Sequence, residues 1–124
     1  MGVRFSEIES KSLQLGNCRF EQGSINVPAG VTVKGGTILK RAGERKFAIA
    51  SKGDTFVGVV PFDMTNHAKT PANLGFRAII AGRVRRDMLN VDGVATITSA
   101  QADSLRDFCG IIAVDSTDIS RVSP

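Results

Sequence analysis

Tryptophan and tyrosine are absent from the 124 residues, histidine occurs once and cysteine twice. Without Trp or Tyr the chain lacks the side chains that most often stack nucleobases, and seven Phe are its only aromatics. The core must therefore rest mainly on Val, Ile, Leu and Ala, which favours short β-branched strands. A single His67 leaves little for acid–base catalysis, nucleophile activation or a metal site. With Asn66 and Lys69 near it and no acidic or thiol cluster, it reads as a loop histidine open to water. Cys18 and Cys109 form no C-x-x-C pair, and are expected as partly buried free thiols of a protein made in a reducing cytoplasm. No apolar run is long enough to span a bilayer and no signal-peptide pattern is present, so no membrane is expected as a partner.

Charge is only mildly unbalanced, with 16 Lys and Arg against 12 Asp and Glu. Nucleic-acid binders concentrate basic residues so as to neutralise several phosphates together; here they are scattered from Arg4 to Arg121. The densest spot is Arg83, Arg85 and Arg86, and strict strand alternation would put Arg77, Arg83 and Arg85 on one face. That face reads as solvated, or as a contact for an acidic partner. Nucleic acid is not expected.

The length fits one domain with one core. Residues 1–24 are polar with no sustained apolar period and read as an extended N-terminal arm, leaving 25–124 as a compact β-rich domain. From Ile25 short apolar runs alternate with turns: Pro28-Ala29-Gly30 before 31–33, Lys34-Gly35-Gly36 before 37–39, Ala42-Gly43-Glu44 before 46–50, and Ser51-Lys52-Gly53-Asp54 before 56–60. Residues 62–74 carry no period and read as a surface loop. A longer strand is expected over 76–84, with Gly82 allowing a bulge or a close approach by another backbone. Asp92-Gly93 signals a hairpin into 94–97. One helix is expected over 99–109: Thr98 and Gln101 have capping-box spacing, Ala102, Leu105, Phe108 and Cys109 make the apolar stripe, Asp103 can pair with Arg106, and Gly110 ends it before a last strand, 111–114. The expected fold is mainly β with one short helix (α+β), a small β-barrel or sandwich-like domain.

Little in the sequence carries bond-making chemistry. Asp54 and Asp63 bracket the 56–60 strand but read as turn residues bonding nearby N–H groups. The glycines at 30, 35 and 36 are followed by strands, whereas phosphate-cradling loops open helices. No catalytic residue, metal or cofactor is assigned, and the chain is expected not to be an enzyme.

The ordered string Pro28-Ala29-Gly30-Val31, Lys34-Gly35-Gly36-Thr37-Ile38-Leu39, Asp54 with Gly58-Val59-Val60, Gly82-Arg83-Val84, and Leu105 with Gly110-Ile111 resembles the lambda-type phage head decoration (capsid cement) proteins, over about residues 25–114. The resemblance implies a compact β-rich homotrimer seated on the outside of an expanded capsid at its local three-fold positions. There it would bind the major capsid protein and stabilise the head of the virion against the packaged genome. It further implies an N-terminal arm, disordered in the free protein, that orders against the shell. Four of the apolar residues of the 1–24 segment, Phe5, Ile8, Leu13 and Leu15, are the expected capsid-binding anchors, unless they fold back onto the domain.

Three other readings fit the composition. One is a lipoyl- or biotinyl-type carrier module, with Lys40 at a hairpin tip. A second is a small ligand-binding barrel or enzyme using Asp54, Asp63, His67 and Arg83. The third is another virion component, such as a tail or fibre piece.

Overall fold

A computed structural model describes residues 13–94 and 97–115. Eight strands appear in chain order: β1 (Gln14–Val27), β2 (Thr32–Val33), β3 (Ile38–Gly43), β4 (Lys46–Ile49), β5 (Gly58–Val59), β6 (Met64–Thr65), β7 (Ala72–Arg85) and β8 (Ile111–Val114). A 3₁₀ turn (Arg86–Met88) follows β7, and α1 (Ser99–Cys109) precedes β8. Among the described residues the protein is mainly β, 51% strand, with one helix.

Strands β1, β4, β3, β5 and β7 lie side by side, and β7 pairs back onto β1 to close a five-stranded barrel; β8 adds to β7 as an extra, parallel strand. β2 and β6 form a separate short ladder, Thr32 opposite Thr65, with their hydroxyls 2.7 Å apart. The long β1–β7 pairing is antiparallel and in register from Val27 opposite Ala72 to Phe20 opposite Ile79. Beyond that point Arg19 faces Ala81, so Ile80 is an extra residue on β7.

Closure gives the sheet two buried faces. Ile25, Val27, Leu39, Phe47, Phe76 and Ala78, from strands that encircle them, fill the barrel with Val33, Val60 and Met64. On the opposite face Ile38, Val59, Ile79 and Val84 meet Leu105 of α1, Ile111 of β8, and Leu13, Leu89, Val91 and Ile97. The expectation of one core is therefore corrected to two apolar clusters sharing a wall. A sheet covered on both sides can seat adjacent apolar residues in different clusters, as Val59 and Val60 do.

The helix follows the sequence reading closely. Thr98 Oγ1 accepts from the Gln101 N–H at 3.1 Å, the Gln101 side chain accepts from the Thr98 N–H at 2.8 Å, Arg106 pairs with Asp103 at 3.2 Å, and Gly110 closes α1 at φ 68°. Asp92 and Gly93, at φ 50° and 81°, form the expected tight turn, with Val91 and Val94 exchanging both backbone hydrogen bonds. The strand expected to continue from it falls partly on residues outside those described, and Val94 itself makes only an isolated bridge.

Two expectations are corrected. The half of the 1–24 segment that the structure describes is strand, not arm: from Gln14 it pairs with β7. The 62–74 loop contains β6 and the start of β7, and it is anchored by Asn66, a buried side chain that donates to the Val27 and Thr70 carbonyls at 2.9 and 3.0 Å and accepts from the Ala68 N–H.

Candidate functional site

Phe5 and Ile8 lie outside the described residues. Leu13 is 5% exposed and packs in the cluster under α1, while the Arg85 N–H donates to its carbonyl at 2.9 Å. It holds the chain to the body beside the end of β7 and is not free to anchor a partner, which corrects its assignment. Leu15 is half-buried in β1.

The basic face is also rearranged. The extra residue at Ile80 inverts the side to which β7 residues point. Arg77 shares a side with Ile79, but Arg83 and Arg85 point away from the cluster that holds Ile79, Val84 and Ile111. Arg85 is further committed to Asp87, with two hydrogen bonds of 3.1 and 2.7 Å. Arg77, Arg83 and Arg85 thus form no common basic face. Arg83 is left exposed beside Ile112 of β8.

The ligand-barrel residues are engaged separately. Asp54 accepts from the Ser51 N–H at 2.8 Å and lies 3.4 Å from Lys40; the Ser51 hydrogen bond, with help from Lys40, holds its carboxyl below the usual value. Asp63 accepts from the Gly35 N–H at 2.8 Å, and His67 is exposed on the segment after β6. Among the described residues, no three of His, Cys, Asp and Glu come together to hold a metal ion. Lys40 lies inside β3 opposite Ala48, away from the Gly43–Lys46 end of the hairpin where a carrier lysine would project. Both thiols are free and half-buried. Cys109 donates to the Phe56 carbonyl at 3.2 Å, and burial pushes its pKa up to about 11.

Where β1 parts from the β3–β4 hairpin, an open groove of about 980 Å³ is lined by Phe20, Glu21, Gln22, Arg41, Glu44 and Arg45. Arg41 crosses it to Glu21 at 2.9 Å and sits 5.3 Å from the Phe47 ring centroid. Two acids and two bases on the walls leave the groove no dominant sign to attract a charged small molecule. It suits a surface contact.

What stands out is the placement of the aromatic residues. Phe47, Phe56 and Phe76 are core, but Phe20, Phe62 and Phe108 are 42%, 58% and 68% exposed. Phe108 was expected on the buried stripe of α1. Instead Leu105 is buried there with Ala102 and Cys109 partly covered, and the Phe108 ring stands off the body. The other two lie where sequence periodicity carries no signal: Phe20 in the stretch read as arm, and Phe62 in the stretch read as loop. No helix among the described residues is long and apolar enough to cross a membrane.

Comparison with family models, characterised proteins and solved structures yields no match.

Proposed function

We propose that this chain is a capsid decoration protein, a homotrimer that binds the outside of an expanded phage head at three-fold positions and cements neighbouring subunits of the major capsid protein. The observation that carries the reading is the exposure of three of the six Phe among the described residues, on a barrel whose candidate reactive groups are dispersed. Aromatic side chains kept on a surface are characteristic of the centres of protein interfaces, where burying them on a partner contributes most of the affinity.

The resemblance string supports the same reading. Its glycines do structural work: Gly36 and Gly82 lie against the backbones of Met88 and Cys18, and Gly110 caps α1. A motif spent on turns and close backbone approach suits a scaffold that presents a surface. On the capsid exterior, weak contacts repeated three times become lasting through avidity, about 10²–10⁴ beyond one contact. Phe5 and Ile8 remain the proposed capsid anchors, and Leu13 ties the segment to the cluster beneath α1.

The test is co-sedimentation with expanded and unexpanded heads, using the full chain and a variant lacking residues 2–12. The full chain is expected to pellet with expanded heads only, and the truncated variant to keep its fold but lose binding. Binding to tails in place of heads, or to neither, would reject the proposal.

A further inference from the structure

Where β7 runs beyond the closed barrel, with β1 on one side and β8 on the other, the sheet has two open edges. β7 is flanked by β1 on one side and by β5, then β8, on the other. β1 meets β4 only at Ser24 and Ile25; residues 15–23 have no ladder partner on that side among the described residues, though Arg41 reaches across the groove to Glu21, so the edge is fully open only over 15–19, and β8 has no described partner on its side away from β7. An open edge invites pairing with another chain, and proteins usually guard one with Lys, Pro or a bulge. β8 has none of these: it reads Ile111-Ile112-Ala113-Val114, and Ile112 is 46% exposed.

Resting on the trimer reading above, we propose that the β8 edge of each copy pairs with the β1 edge of the next, and that three such contacts close the ring. Two observations match the edges to each other. The first is apolar. Phe20 lies opposite Ile79, on the side of the sheet that α1 covers, and Phe108 projects from α1 just before β8. Extending one copy's sheet with the next copy's β1 brings these two exposed rings to the same face of the joint sheet. The second is charge. Asp107 and Asp115 flank β8 and are 65% and 58% exposed, with only loose ion pairs of 3.7 and 3.9 Å. Arg19, on the β1 edge, has no ion pair among the described residues.

The contact joins two different surfaces, so it leaves one of each open in any incomplete assembly and is satisfied only on closure. Each copy uses both open edges, which removes the aggregation hazard that β8 would pose alone. Main-chain hydrogen bonds along the edge fix the register, and the two rings add the apolar contact.

The experiment measures solution mass by light scattering for the wild type and for Phe20→Lys and Phe108→Lys, with far-UV spectra as a check on folding. The wild type is expected at three chains, and each variant at one chain under the same conditions, an association at least about tenfold weaker. Because both rings are exposed in the single chain, neither change should alter the fold. A second arm removes the native thiols (Cys18→Ser, Cys109→Ala) and introduces Phe20→Cys and Phe108→Cys together. Oxidation should then give covalent products that stop at three chains, while Phe20→Cys alone should give none. A trimeric wild type whose Lys variants stay trimeric would overturn the edge pairing and leave the trimer standing. A Phe20→Cys chain that cross-links to itself would also overturn it, by indicating a two-fold contact between β1 edges. A monomeric wild type would remove the trimer itself.

Discussion

Ile38 and Leu39 are adjacent in the chain and both 0% exposed, yet they belong to different cores, Ile38 to the cluster beneath α1 and Leu39 to the barrel interior. One strand thus forms the wall between two apolar layers. Truncating either side chain to Ala should cost about 2–5 kcal/mol. Both variants should unfold in one transition, because the wall is shared, and the double variant should depart from additivity, since neighbours on one strand couple through its backbone. Urea unfolding followed by two probes checks this. Separate transitions would mean that the clusters are independent units.

Gly36 is irreplaceable for two reasons at once: its φ is 93°, and a Cβ built there would overlap the Met88 carbonyl oxygen. Gly30 has the first constraint without the second, with φ 73° and nothing within 4 Å. Gly30→Ala should therefore cost about 1–2 kcal/mol, the penalty of a left-handed residue. Gly36→Ala should cost clearly more, because the turn must also move off Met88. Thermal melts of the two variants give the order.

Asn66 is 2% exposed and uses both of its polar atoms. Asn66→Asp keeps the shape but replaces the donor facing Val27 and Thr70 with a buried carboxyl. Burial, and the two carbonyl oxygens that would face the new carboxyl oxygen, outweigh the one donor left to it, the Ala68 N–H, and raise its pKa in the folded state. The proton that stabilises it is bound below the unfolded-state value and lost as pH rises through the folded one. The variant should come closest to wild type at acid pH and fall away toward neutrality. Equal destabilisation at every pH would contradict the assignment of donor and acceptor.

Cys109 carries a pKa raised from 9.0 to about 11. A folded-state pKa above the unfolded one contributes stability that is intact below pH 9 and declines as pH rises toward 11. Cys109→Ser, which keeps a donor for Phe56, should flatten that alkaline decline. Unfolding midpoints at pH 8 and pH 10.5 measure it.

Legibility in the sequence followed the locality of the physics. Thr98 with Gln101, Asp92-Gly93 and Gly110 act within a few residues, and their geometry came out as expected. β1 was missed because extra residues between Gln14 and Gly16 and between Gly16 and Arg19, with Asn17 at φ 54°, break the alternation that marks a strand. The extra residue Ile80 on β7 separated Arg77 from Arg83 and Arg85. Phe108 fits a helical stripe, but spacing does not tell where the body beneath the helix ends. Of the candidate surface, only the dispersal of reactive groups was visible beforehand; the exposed rings depend on tertiary packing.

On the proposed reading this protein would act mechanically, holding an expanded shell together. The direct measurement is genome retention by expanded, filled heads heated with and without the purified protein. Decorated heads are expected to keep their DNA at temperatures where bare heads release it, with protection saturating at three chains per three-fold position. Equal release from both samples would contradict the claim.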